Sequence, residues 1–200
     1  MIDVDANKKR FCEILRATGK CGVEEVLAGL EALGFFSAPA STRFHLAEEG
    51  GLCQHSLNVY DEARLIKVLQ CRLRPQLEAR LADDSVAVVS LLHDVCKAEV
   101  YKKEIKHRKV NGKWEDYEGY AVDYSSFPLG HGEKSVIRLL RWGLDLTEDE
   151  MLAIRWHMHA WSLSDSPEDS ANFNKASERC PLLAILIAAD GLSARILETS

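Results

Sequence analysis

Residues 86–100 read VAVVSLLHDVCKAEV. From Val86 to Leu92 only Ser90 is polar, so a helix from about Asp83 to Lys97 is apolar nearly all round and belongs at the centre of a fold. His93 and Asp94 then stand side by side near its end. An imidazole and a carboxylate in such a segment must be paired, neutralised or bound to something, because leaving them bare in an apolar interior costs several kcal/mol or more.

Outward from this segment the chain reads as helices. Residues 6–18 and 22–34 are short and amphipathic, separated by Gly19 and Gly22, and a turn-rich connector follows over 35–42. Leu52 to about Gln70 is a long helix with Leu52, Val59, Ala63 and Ile66 on its apolar stripe. Residues 101–124 change character, and Asn111-Gly112 between strand-like arms signals a β-hairpin. Helix resumes at about His131, and Thr147 with Glu150 forms a capping box for a helix reaching Trp156. The stretch SDSPEDSANFN (164–174) reads as a loop. Pro181 suits the first turn of a last helix ending near Glu198. The expectation is an all-α bundle with one inserted hairpin at about 101–124.

Polar residues recur on the apolar faces. In the last helix Leu183, Leu186, Asp190, Ser193 and Leu197 share one face, so Asp190 interrupts a stripe that should be buried. His55 lies three residues after Leu52 and four before Val59, and His93 lies four after Val89. Three polar groups from three helices thus point into one interior. A divalent cation would satisfy them together, and imidazole with carboxylate suits Mn, Fe, Co, Ni or Zn.

Composition bounds the rest. Two hundred residues, 46% of them hydrophobic, support one domain with a substantial core. A net charge of −6 argues against a protein that coats polyanions, while leaving room for a local basic patch. The basic stretch YKKEIKHRK (101–109) reads as a solvated hairpin face, with guidance of a nucleotide or RNA chain as the alternative, and His107 there as solvated. No apolar leader core and no run of about 18 apolar residues is present, so a cytoplasmic protein without membrane contact is expected. The six cysteines show no CxxC pair and read as reduced thiols, with Cys96 a packing residue. LGHGEKS lacks the spacing of a phosphate loop. Phe35-Phe36 is compatible with a core or an interface, and the oligomeric state stays open.

The order His55, His93-Asp94, Asp190 on three helices resembles the HD-domain superfamily of metal-dependent phosphohydrolases. HDVCK places Lys97 where the HDxxK subset has its lysine. GHGEKS supplies His131 and IRWHMHAWS supplies His157 and His159, which resembles the two-metal branch seen in HD-GYP phosphodiesterases and in exoribonuclease-like HD proteins; FHLAEEGGLCQHS and AADGLSA are similar to the latter. The likeness covers about residues 40–197, giving an HD domain over 37–200 and an N-terminal helical extension over 1–36. It implies a first metal on His55, His93, Asp94 and Asp190, and a second on His131 and His157 with Asp94 bridging. The implied activity is hydrolysis of a phosphomonoester or phosphodiester, through hydroxide formed from water between two divalent cations. The implied substrate is a nucleotide, another phosphorylated small molecule or a short RNA end. Asp94 and Lys97 would be the catalytic residues. Lys97, three residues after Asp94, either holds the substrate phosphate or caps its helix. His45, Arg155 and His159 are further substrate contacts, with His159 open between that role, ligation and exposure; Lys134 is a weaker candidate. Two other readings keep the same cage: a di-iron oxygenase, and a non-catalytic nucleotide or metal sensor.

Overall fold

The computed structural model describes residues 2–158 and 166–199. The chain is mostly helical and carries one two-stranded antiparallel hairpin. Helices α1 (Val4–Ala17) and α2 (Val23–Leu33) precede α3 (Gly51–Leu73), and a 3₁₀ turn (Pro75–Arg80) leads to α4 (Asp83–Leu92). A short α5 (Lys97–Val100) runs into β1 (Tyr101–Val110) and β2 (Lys113–Val122). Then come α6 (His131–Arg141), α7 (Glu148–Trp156), α8 (Pro167–Arg179) and α9 (Pro181–Leu192), closed by a π turn over Ser193–Leu197.

Every residue of α4 from Val86 to Leu92 is buried, as its sequence requires of a central element, and α1, α3, α7 and α9 pack around it. Phe11 and Leu15 of α1 and Val26 and Leu30 of α2 belong to the same buried cluster as Leu52, Val88 and Leu186, so the first 36 residues share the core of the rest. Phe35 and Phe36 are core residues, meeting Phe11 in tilted and edge-on contacts with centroids 5.3 and 5.5 Å away. The capping box on α7 forms as expected, and Glu150 goes further: fully buried, it also accepts from Ser85 Oγ at 2.7 Å and Lys20 Nζ at 2.8 Å, tying three elements together. The hairpin turns at Asn111 and Gly112, both with positive φ, as a tight two-residue turn demands. His107, 63% exposed, pairs there with Asp116.

Three expectations fail in informative ways. The central helix does not run to Lys97: it stops at Leu92, and residues 93–96 tighten into i→i−3 turns, with Lys97 N–H donating to the Asp94 carbonyl at 2.9 Å. The stretch SDSPEDSANFN is, from Ser166 onward, not a loop. Ser166 accepts from Glu168 N–H as an N-cap, Pro167 takes the first helical position and Glu168 and Asp169 follow, a complete helix-start signal that opens α8. The last α-helix ends at Leu192, and the π turn adds a residue to the repeat, with Glu198 N–H donating to Ser193 O. That rotates Leu197 off the buried face, leaving it 54% exposed, and turns Glu198 inward instead. Among the described residues no single helix is long and apolar enough to cross a membrane. All six cysteines are free.

Candidate metal centre

His93 and His157 occupy equivalent places, each the residue that caps a helix C-terminus, on α4 and α7. The last carbonyls of a helix lack intrahelical partners. Each ring uses one: His93 Nδ1–H donates to Ser90 O at 2.9 Å, and His157 Nδ1–H to Ile154 O at 2.7 Å. A carbonyl can only accept, so both rings carry their proton on Nδ1 and present a bare Nε2. His55 on α3 is fixed the same way by a carboxylate, its Nδ1 standing 3.0 Å from both oxygens of Glu198, which Asn58 Nδ2 also reaches at 2.9 Å. His131, the first residue of α6, differs. Its Nε2 stands 2.6 Å from Asp94 Oδ1, and its Nδ1 lies 3.0 Å from the Cys96 thiol, which can donate or accept and so leaves either nitrogen free to carry the proton.

These rings converge. His45, His55, His93, His157 and His131 follow one another with centroids 5.2, 5.3, 4.9 and 5.2 Å apart. Asp94 lies in their midst, 1% exposed, and divides its oxygens between them. Oδ2 is 3.3 Å from His93 Nε2 and 3.6 Å from His55 Nε2; Oδ1 faces His131 and lies 3.4 Å from His157 Nε2. Asp190, from α9, puts Oδ1 3.3 Å from His55 Nε2.

The Nε2 atoms of His55, His93 and His157 are buried and have no hydrogen-bond partner among the described residues, although carboxylate oxygens stand this close. Such orphans are costly unless something else satisfies them. Donor atoms about 2.1 Å from one tetrahedral ion stand roughly 3.4 Å apart, so the spacing is that of ligands sharing a cation. The clusters His55–His93–Asp94, His93–His157–Asp190 and Asp94–His131–His157 can each hold a metal ion. No family model, curated protein or solved structure matches the chain.

The electrostatics agree with a cage built for positive charge. Burial alone would raise the Asp94 carboxyl, but the Lys97 ammonium and the surrounding histidines hold it well below the usual range. Asp190 is likewise lowered against its burial by His55 and His93. Burial depresses His93 and His131, keeping them neutral. Burial would lower His55 too, but Asp190 and Glu198 outweigh it and raise it to about 9. Cys96, pushed up to about 12 by burial, stays a thiol and is no nucleophile at neutral pH.

Of the remaining sequence candidates, Lys97 and His45 join the site. The tightened turn over residues 93–96 places Lys97 above Asp94, with Nζ 2.5 Å from Oδ2. Lys97, His45, His157 and Asp190 line a 510 Å³ cavity with Phe44 and Arg195 at its rim. Arg155 turns away, stacking on Trp156 and pairing with Glu133 beside a different groove. Lys134 is buried and donates to Ser126 O, so it braces the loop before α6. His159 lies outside the described residues. Glu198, Asn58 and the Cys96 contact with His131 were not legible from sequence. Asn58 lies one turn after His55, yet nothing marks its partner.

Proposed function

We propose that the chain is an HD-type metal-dependent phosphohydrolase that cleaves a phosphomonoester or phosphodiester of a nucleotide or a related phosphorylated compound. The observation that carries this reading is the set of three buried, partnerless Nε2 atoms around the two oxygens of one carboxylate, bordered through His157 and Asp190 by a cavity that Lys97 also lines. His55, His93, Asp190 and Asp94 Oδ2 would hold one divalent cation, and His131, His157 and Asp94 Oδ1 a second. Such ions supply Lewis acidity toward a phosphoryl oxygen and bring the pKa of water near neutrality.

The chain's own residues have distinct tasks. Asp94 stays ionised at any working pH and links the two halves of the cage. Ser90 O and Ile154 O lock His93 and His157 in the tautomer that offers Nε2, and Glu198 holds the Nδ1 proton of His55, so that loss of its second proton bares Nε2. Lys97, raised by Asp94 and therefore always charged, is the cation that an incoming phosphoryl group meets, able to stabilise charge growing on its oxygens. His45, which burial and the His55 and Lys97 charges hold at about 4, is neutral and presents an unpartnered Nε2 beside the cavity. As a neutral imidazole it can donate a hydrogen bond without adding charge.

The test is metal analysis of protein purified without added metal, then assays on phosphomonoesters, mononucleotides and short phosphodiesters. About two ions per chain are expected, with phosphate or mononucleotide release that falls on the order of a hundredfold or more in His93→Ala. Fewer than one ion under every loading condition would end this reading.

A further inference from the structure

Helix α3 carries two stripes. Leu52, Val59 and Ala63 face inward and are fully buried. On the opposite side Glu62, Leu65, Leu69 and Arg72 recur at steps of three, four and three, the spacing of a coiled-coil seam. Leu65 is 67% exposed and Leu69 54%, and Val68 and Leu73, also exposed, widen the strip on its two edges. Together they present on the order of 400 Å² of contiguous apolar surface, the scale at which such a patch marks a contact site. Glu62 and Arg72, at the two ends, have no ion-pair partner among the described residues.

We propose that this face is the seam of an antiparallel homodimer in solution. The occupant follows from the order of residues. About a two-fold axis crossing the exposed face at the height of residue 67, midway between Leu65 and Leu69, each Leu65 meets the partner's Leu69 and each Glu62 meets the partner's Arg72. One register therefore satisfies both apolar layers and both charges. A parallel pair would set Glu62 against Glu62 and Arg72 against Arg72. A strip complementary to itself under a two-fold axis is what an isologous contact needs. The seam is only about 15 Å long, shorter than a standard interface requires, so the dimer is concentration-dependent in the micromolar range.

Sedimentation velocity on the full chain across that range tests this. The parent chain is expected to shift from monomer to dimer, and Leu69→Glu to weaken association at least tenfold while circular dichroism stays unchanged. Glu62→Arg and Arg72→Glu should each be impaired alone, because like charges then meet across the axis. Mixing the two single variants should restore association, since every charged layer becomes complementary again. A parent chain that is monomeric throughout, a dimer indifferent to Leu69→Glu, or variants that fail to complement on mixing would each overturn the proposal.

Discussion

Glu198 gives both carboxylate oxygens to one imidazole nitrogen, and that contact decides what His55 offers the cage. A carboxylate at Nδ1 fixes the tautomer and raises the basicity of Nε2. Glu198→Gln keeps the shape but removes the charge, and is expected to weaken divalent-cation binding about 10- to 100-fold. Titration calorimetry reads this directly, and an affinity equal to the parent's would strip Glu198 of the role. At this scale the sequence was unevenly legible. His55, His93 and Asp190 could be found because each interrupts an apolar stripe, and a stripe reports where it faces. Glu198 follows the last α-helix and resembles any surface carboxylate; only the π turn swings it inward, and no spacing rule announces a π turn.

Among the elements, α6 depends on one close approach. Gly132 follows His131, and a Cβ there would overlap the backbone carbonyl of Arg155 on α7. Backbone cannot yield as a flexible side chain can, so Gly132→Ala must push the two helices apart. A cost of about 1–3 kcal/mol is expected, in the range of overpacked cores, and is measurable by chemical denaturation. Since His131 rides on α6 and His157 on α7, the same change should lower the bound metal from about two ions per chain toward one. Normal stability with full loading would show that the helices tolerate the extra carbon. Helix α3, with its apolar stripe, was legible to within a few residues, and α4, apolar nearly all round, was legible in its place and its start. Helix α8 was missed because Ser, Pro, Glu and Asp signal a loop and a helix start equally well, and its sparse apolar residues decided wrongly. The break at Leu92 was hidden for another reason: residues in a 3₁₀ turn keep nearly the same neighbours as residues in an α-turn, so Lys97 reached Asp94 by a tighter path than its spacing implied.

For the whole molecule, the cage places several opposed titrations at the meeting point of α3, α4, α6, α7 and α9, and the metal-free protein must show it. His55 is raised to about 9, above its unfolded value near 6.5, so the stability it contributes is complete below 6.5 and is lost as pH rises through 9. His45 is depressed to about 4; its contribution is present above 6.5 and disappears as pH falls toward 4. Asp94 and Asp190, depressed as carboxylates, add stability above about 4 that is lost in stronger acid. The metal-free chain should therefore be most stable near neutrality and weaken on both sides. A cation needs His55 neutral, so its binding expels that proton, and affinity should rise about tenfold per pH unit up to about 9. A cation at a hundredfold excess over its Kd adds about 2.7 kcal/mol, roughly 5–10 °C in Tm for a chain of this size. Scanning calorimetry with and without Mn or Zn at several pH values reads the gain. Titrations in two buffers of different ionisation enthalpy count the protons released. If no divalent cation shifts Tm at any pH while the chain stays folded, or if binding releases no proton below pH 9, then the carboxylates satisfy these imidazoles by themselves and the cage holds only its own charges.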